Sequence, residues 1–442
     1  MTAGQKPIDS LIEARWIIPV EPARRVLEHH AVALAGGRIE ALLPIAQARE
    51  RYRAAALVEL PDHVLIPGMV NLHTHAAMTL MRGLADDLPL MEWLKQHIWP
   101  AELRHVSAAF VYDGTRLACA EMLRGGVTCF NDMYFYPRDA ARAAIDCGMR
   151  AAVGMIVLEF PSPYAADAQD YLSKGLAFRD EMKNESLLHF CFAPHAPYTV
   201  GDDSLRKVAT YAGLLDLPVQ IHLHETGDEI EQSLKTHNVR PLQRLHDAGL
   251  LGPGLIAVHA VHLNPDEIAL LAKHGCHVAH CPSSNLKLGS GIAPVPALLA
   301  AGINVGLGTD GAASNNRLDL FAEMRLAALL AKGASGNATA VPAWQALEMA
   351  TINPARALAL DDRIGSIAAG KLADLTAVDL SGVDVAPCYD PLSHLVYAAG
   401  REQVSDVWVN GRRVLERGNL TAVDCEELLA RAHYWRDRIQ AA

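Results

Sequence analysis

The sequence predicts an α/β protein whose central part is a (β/α)₈ TIM barrel, and three observations carry that expectation. Eight short, nearly continuous apolar runs lie between residues 64 and 308. Stretches with apolar residues at helical spacing separate them. Polar residues of the metal-ligand class gather at the ends of four runs.

The runs are 64–72, 126–133, 150–159, 187–193, 218–223, 255–261, 277–280 and 304–308. Continuous hydrophobicity marks strands buried on both faces, as in parallel sheets. The intervening stretches 108–124, 205–214 and 266–273 have helical periodicity. Strand and helix alternating eight times is the signature of this barrel.

The ends read differently. Residues 8–66 hold β-like runs at 11–19, 31–35 and 39–43, broken by Gly36-Gly37, with little helix. Residues 374–423 hold runs at 375–380 and 404–409, the latter followed by Asn410-Gly411, a strong hairpin signal. Two β-rich arms flanking a barrel can pair into one small β-sandwich. Residues 343–360 read as an added helix, and 425–442 as an amphipathic one. The expected division is therefore a sandwich from 1–66 and 366–424, a barrel from 67–365, and a terminal helix. The 442-residue length suits one large barrel plus an accessory unit.

Composition narrows the function. With 39 Lys+Arg against 50 Asp+Glu the net charge is −11. No basic face for a phosphate backbone is expected. Residues 1–10 lack a basic-then-apolar leader pattern, and no apolar run reaches the roughly 20 residues of a membrane span. Eight cysteines are scattered, several in apolar runs (Cys129, Cys147, Cys191), with no C-x-x-C pair. Buried thiols in a reducing, cytoplasmic setting follow.

The first run ends in Asn71-Leu72-His73-Thr74-His75. Alternation places His73 and His75 on one face, and a barrel strand's C-terminal end points into the mouth. The fifth ends in His222-Leu223-His224-Glu225, the sixth holds His259 with His262 just beyond, and the eighth leads into Thr309-Asp310-Gly311. Any one of these is unremarkable. Together, at the end of the barrel where such enzymes keep their sites, they predict a metal centre.

Pro67-Gly68 followed by Asn71 to His75 resembles the first-strand motif of the amidohydrolase superfamily. The nearer resemblance is to the 5′-methylthioadenosine/S-adenosylhomocysteine deaminase family. It rests on Met78-Thr79-Leu80-Met81-Arg82-Gly83, Pro194-His195-Ala196-Pro197-Tyr198, Ser284-Asn285-Leu286-Lys287-Leu288-Gly289 and the stretch from Gly308 to Asn316. It spans nearly the whole chain.

The resemblance implies one Zn²⁺ per chain, held by His73, His75, His222 and Asp310. A second metal, bridged by a lysine on strand four in other members, is not expected, because 187–195 contains no Lys. It implies hydrolytic loss of the amino group at C6 of an adenosine-type nucleoside. Glu225 is the implied proton donor to N1, His259 the partner of the attacking oxygen, and Asp310 the proton carrier. His195 is implied to contact purine N3 and Glu102 the ribose hydroxyls, with Trp93 near it and Ser314 at the rim. Members that bind a homocysteine carboxylate use two arginines at and after strand three. Here 151–178 contains no Arg, and Met155 aligns near the first of those positions. The expected preference is thus for 5′-methylthioadenosine, with adenosine and S-adenosylhomocysteine also accepted.

Two rivals stand beside this reading. One is a related hydrolase acting on guanine, a triazine or a cyclic amide. The other is an inactive barrel serving as a binding protein, which should have lost a ligand or Glu225. His224 and His262 are expected to be structural. Residues 365–372 mimic a phosphate loop but carry Leu372 where Ser or Thr is required. Partners are limited to a small nucleoside, with neither nucleic acid nor membrane, and a homo-oligomer is left open.

Overall fold

The computed structural model describes residues 5–441. Residues 1–4 and 442, which fall within the expected arm, leader region and terminal helix, lie outside them. The N-terminal arm supplies β1 (Lys6–Ile17), β2 (Leu27–Ala35), β3 (Arg38–Pro44) and β4 (Tyr52–Pro67). The barrel strands are β5 (Met69–Thr74), β6 (Val127–Asp132), β7 (Arg150–Val157), β8 (Leu188–Pro194), β9 (Val219–Leu223), β10 (Leu255–His259), β11 (His277–His280) and β12 (Asn304–Leu307). The C-terminal arm adds β13 (Leu375–Asp379), β14 (Val404–Val409), β15 (Arg412–Glu416) and β16 (Asn419–Leu420).

Strands β5 to β12 form one parallel sheet in chain order. Beyond β12 the ring closes on itself: the Asp310 N–H donates to the His73 carbonyl at 3.0 Å, and the Thr309 N–H to the Asn71 side chain at 3.0 Å. All eight apolar runs are strands, and every residue of β5, β6, β7, β9 and β10 is buried. That is the burial a parallel sheet covered by helices requires.

The first run needs one correction. Residues 64–67 finish β4 and belong to the arm sheet, pairing with β13, and the barrel begins at Met69. Gly68 is the pivot between them. A Cβ there would lie 2.1 Å from the Thr128 side chain, so only glycine lets the chain pass so close to β6.

The two arms join in one mixed sheet, in the order β16-β15-β14-β13-β4-β1-β2-β3. It bends back on itself. The Gly37 carbonyl accepts from Ala373 N at 2.9 Å, Ile39 N donates to the Lys371 carbonyl at 2.9 Å, and the β2–β3 turn touches the Asn410-Gly411 turn. Ile12, Val32, Ile39, Leu65, Leu375 and Trp408 fill the enclosed core. Asn410 and Gly411 both have positive φ (52° and 75°), as a two-residue hairpin of this hand demands. The phosphate-loop mimic is the return into this sheet: Lys371 binds Glu21 at 2.9 Å and the chain runs on into β13.

At the barrel's N-terminal end, Arg150 of β7 makes a two-pronged bond to Asp374 at 2.8 and 3.0 Å, both side chains almost fully buried. This pair ties barrel to arm. The added helix is two pieces, Ala343–Ala350 and Ile352–Ala357, broken at Thr351, and the terminal helix is Cys425–Gln440. Among the described residues no helix is long and apolar enough to cross a membrane, and all eight cysteines are free thiols, six of them buried.

Candidate active site

Three strand ends that carry polar residues leave the sheet through left-handed backbone: His224 (φ 54°), His259 and Ala260 (70° and 51°), and Asp310 (61°). Non-glycine residues enter this region rarely and at a cost, and do so mostly at functional sites. Here the left-handed residues break the strands' own alternation at the ends that carry the polar groups.

The ligand atoms of His73, His75, His222 and Asp310 all lie within 4.8 Å of one another. Asp310 Oδ1 stands 3.2 Å from His75 Nε2 and 3.5 Å from His73 Nε2, and His222 Nε2 is 3.1 Å from His73 Nε2. Each imidazole is aimed from behind. His73 Nδ1 donates to Gln220 Oε1 at 3.0 Å, His75 Nδ1 to the Met133 carbonyl at 2.6 Å, and His222 Nδ1 to the His195 carbonyl at 2.8 Å. With Nδ1–H committed, every Nε2 offers its lone pair to the centre. Burial alone would raise the Asp310 carboxyl, but the facing His73 and His75 rings hold it well below its usual range. Three imidazoles and a carboxylate fit one Zn²⁺.

Asp310 Oδ2 accepts hydroxyls from Ser284 at 2.6 Å and Ser314 at 2.7 Å. Ser314 therefore lines the cavity with its hydroxyl already engaged on the metal-site carboxylate. His259 Nδ1 is bonded to Asn285 Oδ1 at 2.8 Å, and its Nε2 lies 3.8 Å from Glu225 Oε2. Burial, reinforced by the Asp310 charge, pushes Glu225 up to about 8. Burial pushes His195 down to about 3, so it sits neutral with Nδ1 on the Thr199 hydroxyl at 2.9 Å.

These groups open onto a cavity of about 270 Å³. Trp93 and Glu102 come to its wall from the segment between β5 and β6, where a helix at Leu90–Trp93, a π-helical turn at Leu94–Ile98 and a helix at Trp99–His105 run on from one another. The Tyr134 hydroxyl donates to Glu102 Oε1 at 2.8 Å. Burial lifts Glu102 to about 7 against the pull of that bond.

The structure does not bring Met155 to the cavity. Its side chain packs on Gly175 of the helix Ala168–Met182, and the next residue, Ile156, lines the cavity instead. Successive residues of a strand face opposite sides, so a one-residue difference in phase exchanges mouth for outer layer. His224 and His262 stay out of the metal cluster: His224 Nε2 accepts from Leu242 N at 3.1 Å, and His262 Nε2 bonds the Ser290 carbonyl at 2.8 Å. Gln220, Ser284, Asn285 and Tyr134 went unassigned from sequence. Gln220 alone had a readable signal, standing two residues before His222 on the same strand face.

A family model described as amidohydrolase family matches residues 64–414. A 5-methylthioadenosine/S-adenosylhomocysteine deaminase from Saccharophagus degradans is 47% identical, over 99% of this chain and 98% of its own length. Its counterpart from Teredinibacter turnerae is 46% identical, over 98% of each chain. The chain belongs to the amidohydrolase family and, within it, to the 5-methylthioadenosine/S-adenosylhomocysteine deaminases. The crystal structure of an adenosine deaminase from Xanthomonas campestris with bound zinc superposes on this amidohydrolase with a TM-score of 0.98 at 49% identity, covering 99% of this chain and 100% of that one. A guanine deaminase from C. acetobutylicum shares the fold, with a TM-score of 0.80 at 21% identity over 91% of this chain and 99% of that one.

Proposed function

We propose that this amidohydrolase removes the C6 amino group of an adenosine-type nucleoside by hydrolysis, with 5′-methylthioadenosine its best substrate. The observation that carries the reading is the juxtaposition of the four-donor cluster with a buried, proton-holding Glu225 in one cavity. His73, His75, His222 and Asp310 would hold one Zn²⁺, which as a Lewis acid would make water a competent nucleophile near neutral pH.

The chain's own groups do the rest. Glu225 holds a proton at neutral pH and gives it to N1 as C6 becomes tetrahedral, so the ring nitrogen accepts the electron pair displaced by the incoming oxygen. His259, fixed by Asn285, holds that oxygen through Nε2. Asp310 takes the water's proton and delivers it to the departing amine, which leaves as ammonia, and the new C6 hydroxyl returns its proton to Glu225 as the C6 carbonyl forms. Neutral His195 serves purine N3, and Glu102 with Trp93 grips the ribose. A free base needs no such grip, which weighs against a guanine or triazine substrate. With all ligands and Glu225 in place, nothing favours an inert barrel. The six buried thiols fit a reducing cytoplasm.

The preference for a thiomethyl group rests on the cavity wall built by 158–163 and by the segment from Leu90 to Leu103. Leu94, Ile98, Trp99, Phe160, Pro161 and Pro163 line it, and among the described residues no Lys or Arg lines the cavity. A carboxylate brought there loses hydration without gaining a partner. Partial exposure leaves a cost of roughly 1–3 kcal/mol, or about 5–150-fold in kcat/KM. Ammonia release from 5′-methylthioadenosine, adenosine and S-adenosylhomocysteine, measured side by side on the zinc-loaded enzyme, tests this. Equal values for the first and last, or a preference for S-adenosylhomocysteine, would refute the selectivity, and no ammonia from any of them would refute the function.

A further inference from the structure

Glu229 is a buried carboxylate in the first turn of the helix Gly227–His237, four residues after Glu225. The helix is capped by Thr226, whose side chain accepts from Glu229 N. In a capping box the Glu at this position would reach back to the cap's own N–H. Here it reaches further. The His224 N–H donates to Glu229 Oε1 at 3.0 Å and the Glu225 N–H to Glu229 Oε2 at 2.9 Å, so both oxygens are spent on two consecutive amides. Those amides flank the left-handed turn at His224, the turn that ends β9 and swings Glu225 into the cavity. Glu229 itself does not line that cavity and faces the neighbouring one, so it has no access to substrate.

We infer that Glu229 is a positioning residue for Glu225, clamping the peptide units on either side of His224 so that the Glu225 carboxyl is delivered to the purine ring at a fixed height and angle. The inference rests on the reading of Glu225 as the proton donor. A strained turn relaxes unless its surroundings over-determine it. The two amide bonds to Glu229 do so here, and His222, three residues earlier in β9, stays anchored separately by the His195 carbonyl. Loosening the clamp should therefore move the acid without releasing the metal.

The test is a double-mutant cycle on the zinc-loaded enzyme with Glu229→Gln, Glu225→Gln and the pair together, reading kcat, KM, zinc per chain and thermal midpoint. Glutamine keeps the shape but offers one acceptor and sets an NH₂ against the second amide. We expect kcat to fall about 10- to 100-fold, the scale on which an ångström of misplacement acts, with KM and zinc content retained. In the Glu225→Gln background the same change should add nothing, because the group it positions is already gone. A comparable fall in that background, loss of zinc, or unchanged kcat in Glu229→Gln would overturn the inference. Glu229→Asp, which keeps the carboxyl group but cannot span both amides, carries the same test if the glutamine variant does not fold. Glu225→Gln alone retaining wild-type kcat would instead refute the acid assignment, and the clamp with it.

Discussion

The two ends of the barrel bury charge in opposite ways. At the N-terminal end, Arg150 and Asp374 are almost fully buried and complete each other: the guanidinium spends Nε and Nη2 on the carboxylate and Nη1 on the Ser186 carbonyl, while Asp374 also accepts the Asn410 N–H at 2.7 Å. At the C-terminal end, buried and half-buried groups are left incomplete. The Nε2 atoms of His73, His75 and His222 converge on one another and on Asp310, and Glu225 and Glu102 keep their protons to unusually high pH. Burial with a partner holds the fold together. Burial without one stores a demand that a metal ion or a substrate satisfies.

That contrast is broken or sharpened by substitution at either end. The largest effect belongs to His222→Ala. It removes one of four donors and should abolish zinc binding and activity together, with the barrel still folded because its closure does not depend on the ion. Metal analysis of the purified variant decides this. Two zinc ions per wild-type chain, both needed for turnover, would contradict the mononuclear site.

Next is Glu225→Gln, expected to keep one zinc and lose about 10²–10⁴-fold in kcat, the usual worth of a general acid. The pH profile adds a sign. As the proposed proton donor Glu225 must be protonated, and burial puts its carboxyl at about 8, so kcat/KM should decline as pH rises through that value. The corresponding limb should vanish in the variant. A variant retaining a tenth of wild-type kcat would show that the proton comes from elsewhere.

The opposite end should respond in stability alone. Arg150→Met leaves Asp374 buried without its cation, at a cost of about 3–5 kcal/mol. Denaturant unfolding should register that loss while kcat of the folded fraction stays at the wild-type level. Replacing both partners, Arg150→Met with Asp374→Leu, should recover much of it, since a packed apolar pair avoids the desolvation penalty. A kcat that fell with Arg150 would mean that the two ends are coupled.

The same division explains what the sequence made legible. The barrel strands were readable because burial on both faces leaves a continuous apolar run, and His73, His75, His222 and Asp310 because ligands must sit at strand ends. β4 before Val64 was not foreseen. Its sequence, with Ala54-Ala55-Ala56 and Pro61, has weak strand character, and it exists through its long parallel pairing with β1. The supporting shell was equally hidden. Ser284 reaches Asp310 from the short helix Pro282–Lys287, 26 residues away, and the side-chain contacts of Glu229 and Tyr134 depend on turns that no local pattern announces. Met155 shows the limit of alignment without phase: its strand was foreseen, but which face it presented was not.

Tyr134→Phe probes the mildest form of incompleteness. The phenol holds one oxygen of Glu102, a residue of the cavity wall, at 2.8 Å. If Glu102 grips the ribose, the phenol keeps it from swinging out of reach and from satisfying itself elsewhere. Deleting that hydroxyl removes one hydrogen bond of about 0.5–1.5 kcal/mol, or roughly 2- to 12-fold. The loss should appear in KM, with kcat held, because Glu102 touches neither C6 nor N1. It should also depend on the sugar. A 2′,3′-dideoxynucleoside, which gives Glu102 nothing to hold, should be processed alike by both enzymes, whereas the ribonucleoside should bind the variant more weakly. Equal weakening for both sugars would mean that Tyr134 shapes the cavity wall instead, and that the Glu102–Tyr134 pair belongs with Arg150 and Asp374 among the bonds that only hold the fold.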